Sequence, residues 1–96
     1  MTSKLPLAIL PSILLAMMLP LAARAADPGF CRQYARAALI EVRGGLSDPA
    51  CGGALRGTRW SSDFAVHYEW CLGVSNSAAG DERDARARYL KSCAGR

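Results

Sequence analysis

The sequence predicts an all-α fold: a small three-helix domain, stapled by two disulfides, with a long glycine-rich loop between helices 1 and 2. Three observations carry that expectation. Apolar residues recur at helical rather than alternating spacing in three segments. The four cysteines stand singly at 31, 51, 71 and 93, behind an apolar leader. Residues 44–60 hold five of the nine glycines and show no period at all.

The leader comes first. Met1–Lys4 form a short n-region with one positive side chain, and Leu5–Leu19 is apolar apart from Pro6, Pro11 and Ser12. Pro20 breaks any helix, and Ala23-Arg24-Ala25 puts small residues where a signal peptidase reads. Residues 1–25 are therefore expected to be a signal peptide, leaving 26–96 as a mature domain of 71 residues. An uncleaved anchor is the rival, since Leu5–Ala23 covers 19 residues and approaches spanning length. The prolines and the small-residue exit argue against it, so no stable membrane anchor is expected after cleavage. The Ala- and Arg-rich composition fits a bacterial source, and with it a periplasmic or secreted destination.

Export bears on the cysteines. An even number in a short exported chain reads as disulfides, because the compartment is oxidising. A zinc site would draw on tight C-x-x-C pairs, and a thioredoxin-like centre needs one. Gaps of 20, 20 and 22 residues supply none.

Helix 1 is expected over 28–43. Asp27 caps it, Pro28 suits the first helical position, and Cys31, Ala35, Ala38 and Val42 form its buried stripe. Gly44-Gly45 is expected to end it. Helix 2 is expected over 62–75, capped by Ser61 or Ser62. Phe64, Tyr68, Cys71 and Leu72 fall on one side, Val66, Trp70 and Val74 on another. A helix apolar on two sides is normally packed on two sides, so this one should be the centre of the domain. Asn76–Gly80 reads as a turn and helix 3 as 81–93, with Asp81, Glu82 and Asp84 in its first turn. Ala85, Tyr89, Leu90 and Cys93 are its expected buried stripe. The charge run Asp81–Arg88, with Glu82/Arg86 and Asp84/Arg88 as i,i+4 pairs, reads as a solvated face.

If helices 1 and 2 are antiparallel, Cys31 near the start of the first meets Cys71 near the end of the second. Helix 3 then returns Cys93 to the loop that holds Cys51. The expected bridges are Cys31–Cys71 and Cys51–Cys93, one of three possible connectivities. A core of this size supplies only ~3–5 kcal/mol on its own, so the bridges decide whether it folds.

Function is less legible. Once Lys4 and Arg24 leave with the leader, the precursor's charge of +4 falls to +2, which does not call for nucleic acid. The same weak surplus, without a basic amphipathic face, disfavours a cationic toxin-like or antimicrobial protein. His67 is the single histidine, and Asp63 stands one turn before it. Together they could orient an imidazole for a small hydrolase or a metal-dependent enzyme, but no nucleophile motif or third ligand accompanies them. A packed structural histidine is the simpler account. Trp70, beside Cys71, is expected in the core. Trp60 ends the loop next to Arg59; it reads first as core, and as the alternative it is half-exposed, where tryptophan faces stack on sugars or fill interfaces. The loop Cys51–Trp60 lacks phosphate-loop spacing.

The motifs Cys31-x-x-Tyr34-Ala35, Cys51-Gly52, Gly57-x-Arg59-Trp60 and His67-x-x-Trp70-Cys71, closed by Cys93, resemble a group of short exported bacterial four-cysteine domains of unknown function. The resemblance spans nearly all of residues 26–96 and brings no activity with it. The expectation is a non-catalytic binding or interaction module of the bacterial envelope, needing no cofactor or metal. Its surface would be Arg56, Arg59, Trp60 and His67, and its ligand a glycan or an acidic peptide.

Overall fold

The computed structural model describes residues 25–95, so the leader expected over 1–25 lies outside the described residues but for Ala25. Three α-helices make up the domain: α1 (Pro28–Ser47), α2 (Phe64–Leu72) and α3 (Asn76–Ala94). Two single 3-10 turns, Gly52–Ala54 and Thr58–Trp60, punctuate the connection between α1 and α2. No strand occurs among the described residues.

Asp27 starts α1 as expected, its Oδ1 accepting from the Phe30 N–H at 2.7 Å with Pro28 in the first turn. The helix does not stop at Gly44-Gly45. It runs on to Ser47, and packing explains why. A Cβ at Gly45 would fall 2.6 Å from Leu90 Cδ2 and 2.7 Å from Leu55 Cδ1. Gly45 is thus where α3 and the loop approach α1, and that burial outweighs the cost of glycine in a helix, ~1 kcal/mol. Termination falls instead to Asp48, whose carboxylate accepts from the Ala50 N–H across Pro49.

Helix α2 is shorter than expected and is capped by Asp63, not by Ser61 or Ser62. The Asp63 carboxylate accepts from Ala65 N–H at 2.9 Å, while Ser61 Oγ accepts from Asp63 N–H. It ends at Leu72, where the Gly73 and Val74 N–H groups fold back onto Trp70 and Cys71 carbonyls. Of its residues only His67 and Cys71 are buried. The central element is α1, which packs against both other helices. Its length and its small buried residues (Ala35, Ala38, Gly45) allow close approach on one long face.

Helix α3 starts five residues early. Ser75 Oγ accepts from Ala78 N–H, and Asn76–Gly80, expected as a turn, forms the first helical turn. Ala79 is fully buried there, so packing extends the helix through Gly80. Asp81, Glu82 and Asp84 consequently lie beyond the first turn.

Both disulfides pair as expected: Cys31–Cys71 with Cα atoms 5.5 Å apart, and Cys51–Cys93 with 5.2 Å. Each sits within its own cluster. Cys31 and Cys71 pack with Ala26, Tyr34 and Ala79. Cys51 and Cys93 pack with Val42, Leu55 and Trp60, against Tyr89 and Leu90. The domain has two small cores along α1, each centred on a bridge.

Candidate functional site

Between the two cores lies a concavity of about 160 Å³. Tyr34 of α1, Thr58 and Arg59 of the second 3-10 turn, Val66, His67 and Trp70 of α2, and Glu82 and Arg86 of α3 line it. All three helices and the loop thus contribute to it. Gly57, at φ +90°, turns the chain into the segment that delivers Arg59.

Arg86 forms the floor. It is 1 % exposed, the most buried of the ionisable side chains described. Its Nε donates to Glu41 Oε1 at 2.8 Å and its Nη1 to the Tyr34 hydroxyl at 3.0 Å, with the guanidinium 5.1 Å from the Tyr34 ring centre. Glu82 Oε2 stands 3.7 Å from Nη1. Nη2 is buried and has no hydrogen-bond partner among the described residues. Burial pulls the Arg86 pKa down, but the bonds with Tyr34 and Glu41 outweigh it and hold the group above its ordinary value. Burial pushes the Tyr34 phenol up, a rise that the Arg86 bond and charge only partly offset. The floor is therefore a permanent cation beside a neutral phenol.

Arg59 and Glu82 form the rim. The guanidinium grips the carboxylate through both oxygens, Nε to Oε2 at 2.7 Å and Nη2 to Oε1 at 2.9 Å. His67, 3 % exposed, donates from Nε2 to the Ser61 carbonyl at 2.7 Å. A carbonyl only accepts, so in the neutral ring Nδ1 is left as an acceptor. Trp70 closes the other side, 42 % exposed and 5.6 Å from the Tyr34 ring.

The four expected surface residues are divided. Arg59 and His67 meet at the concavity. Arg56 is exposed and lies outside it. Trp60 is 8 % exposed, packed on Tyr89 at 5.7 Å in the Cys51–Cys93 core. Trp60 is core, and Trp70, expected in the core, is the one that faces out.

The Asp63–His67 pair does not form. Asp63 spends Oδ1 on the cap of α2, His67 bonds to Ser61, and no hydrogen bond joins the two. All four cysteines are consumed in the bridges. No cluster of three or more His, Cys, Asp or Glu suited to a metal occurs among the described residues.

Arg86, Tyr34, Glu82 and Trp70 are the residues that sequence reasoning missed. The charge run 81–88 is not uniformly solvated, because Arg86 points inward. A signal existed: Ala79, Arg86 and Cys93, the buried residues of α3, recur every seventh position. Counting back from the buried Cys93 reaches Arg86. The Glu82/Arg86 pair forms at 3.7 Å, with Glu82 gripped by Arg59 as well, whereas Asp84 contacts Arg83 at 3.2 Å rather than Arg88. No known protein family, curated protein or solved structure matches the chain.

Proposed function

We propose that the protein is an exported, non-catalytic binding module of the bacterial envelope, periplasmic or secreted, which holds a small ligand in the concavity over Arg86. The single observation behind this reading is the concavity itself, which all three helices and the loop line, over the buried Arg86 and beside an exposed indole. The exposed Trp70 ring beside it offers an apolar surface of the kind that anchors ligands.

Export is supported by the two disulfides, which suit an oxidising compartment. Cleavage after Ala25 also fits the fold. Ala26 is buried and its N–H donates to the Val74 carbonyl at 2.7 Å, a bond that a free amino group would keep. The hydrolase reading loses support with the unmade Asp63–His67 pair.

Native mass spectrometry of the oxidised protein, incubated with envelope extract of its host, tests the proposal. A non-covalent adduct is expected, released chemically unchanged. Trp70→Ala should lose it while keeping nearly the same thermal transition. Absence of any adduct, or release of a chemically altered product, contradicts a non-catalytic binding module.

A further inference from the structure

The buried side of α1 serves the two cores and the concavity. Its outer side is a second surface of different character. Arg32, Arg36, Ile40, Arg43 and Leu46 are all exposed there, and none of the exposed positions from Arg32 to Ser47 is acidic. With about 3.6 residues per turn and a rise of about 1.5 Å each, these side chains share an arc of about 120° and a length of about 21 Å. The arginines form the middle of the arc, with Ile40 on one flank and Leu46 on the other. Ile40 is 70 % exposed and Leu46 45 %, more than any other large apolar side chain described.

The fold leaves this face uncompensated. Arg59, Arg83 and Arg86 each meet a carboxylate within the domain, from Glu82, Asp84 and Glu41 respectively. Arg32, Arg36 and Arg43 form no ion pair among the described residues. Glu41, the one acidic residue within α1, turns to the other side and is bound by Arg86. A chain with only a weak positive surplus thus gathers three unanswered cations on one helix. Packing completes the face. A helix ending at residue 43 would leave Leu46 in the loop, whereas the continuation through Gly45 to Ser47 sets it beside Arg43.

A soluble polyanion would pair with the arginines and leave Ile40 and Leu46 in water. A protein partner would need an acidic groove shaped to a convex helix. The surface of a bilayer that contains anionic phospholipid meets both features and requires no such shape. Its phosphates take guanidinium groups, and aliphatic side chains enter the boundary between headgroups and acyl chains. Arginine stems lie along that boundary while their charged ends stay at the phosphates.

We propose that the outer face of α1, through Arg32, Arg36, Ile40, Arg43 and Leu46, docks the domain on anionic phospholipid. The contact is peripheral and reversible, because the buried stripe of α1 stays in the cores. Tyr34, the residue that α1 gives to the concavity, projects from the opposite side of the helix, so the two surfaces do not compete.

Co-sedimentation of the oxidised protein with vesicles tests the assignment. One arm uses vesicles of phosphatidylglycerol and phosphatidylethanolamine, and a second uses phosphatidylcholine alone. A third replaces vesicles with heparin or polyglutamate, followed by calorimetry. Binding is expected to the anionic vesicles and not to the neutral ones, and should fall as salt is raised. Arg32→Gln, Arg36→Gln and Arg43→Gln should each lower the partition coefficient about fivefold. Arg88→Gln makes the same change of charge at an exposed position of α3 and should keep it within about twofold. The double change Ile40→Ser with Leu46→Ser leaves charge intact and should lower it roughly fivefold. All these positions are exposed, so thermal transitions should stay close to that of the natural protein and separate lost binding from lost fold. No binding to anionic vesicles, or equal binding to neutral ones, overturns the proposal. A loss in Arg88→Gln as large as those on α1 overturns the assignment to this face. Binding undiminished by the double serine change, or heparin or polyglutamate held as tightly as vesicles, makes the partner a polyanion and overturns the lipid assignment.

Discussion

A guanidinium that is 1 % exposed must have its charge and its donors answered within the protein, and three side chains from two helices do most of that for Arg86. Removing it therefore costs more than a contact. Arg86→Met strips Glu41 of its partner near the domain's interior and should destabilise by about 3 kcal/mol in urea titrations. A loss below about 1 kcal/mol would mean that the carboxylate is well solvated without it. Tyr34 gives a pH dependence. Its folded pKa lies above the unfolded value, so the stability it contributes is complete below pH ~10 and is lost as pH rises through the folded value. Denaturation curves should therefore weaken more steeply above pH ~10 in the natural protein than in Tyr34→Phe. At this scale the sequence was only partly readable. Asp27 and Cys31 announce themselves by residue type and spacing. Trp60 and Trp70 do not, because whether an indole faces in or out depends on which neighbour meets it, Tyr89 in one case and Tyr34 in the other.

Helix ends are where local preference and packing disagree. Two adjacent glycines signal a stop, yet α1 continues because Gly45 lets Leu55 and Leu90 reach its backbone. The two glycines should consequently respond in opposite ways to alanine. At Gly44 nothing lies within 4 Å of the added Cβ, and Gly44→Ala should stabilise by about 0.5–1 kcal/mol through helix propensity. Gly45→Ala must push two leucine side chains aside and should destabilise by about 1–2 kcal/mol, despite the same propensity gain. Thermal unfolding of both variants checks this, and equal effects would contradict the packing account. The early start of α3 follows the same logic. Ser75 and Ala79 are a competent cap and a competent core residue, but neither outweighs glycine and asparagine in a local reading. Periodicity found the existence of each helix; contacts over long sequence distance set the boundaries.

Over the whole molecule the bridges take the place of a single large core. Each closes a loop spanning 40 or 42 residues, which in the chain-entropy account removes about 4 kcal/mol of unfolded-state freedom apiece. The paired connectivity was legible because an antiparallel start leaves Cys93 only one partner near the loop. The concavity was not, since it is assembled from residues 34 to 86 and depends on where α3 turns Arg86 inward. It lies between the two bridged cores, so it exists only while both hold. The most direct test is far-ultraviolet circular dichroism of the protein before and after complete reduction at neutral pH. The account predicts that the helical signal collapses when four thiols become titratable and returns on reoxidation. An undiminished helical spectrum in the fully reduced protein would contradict it.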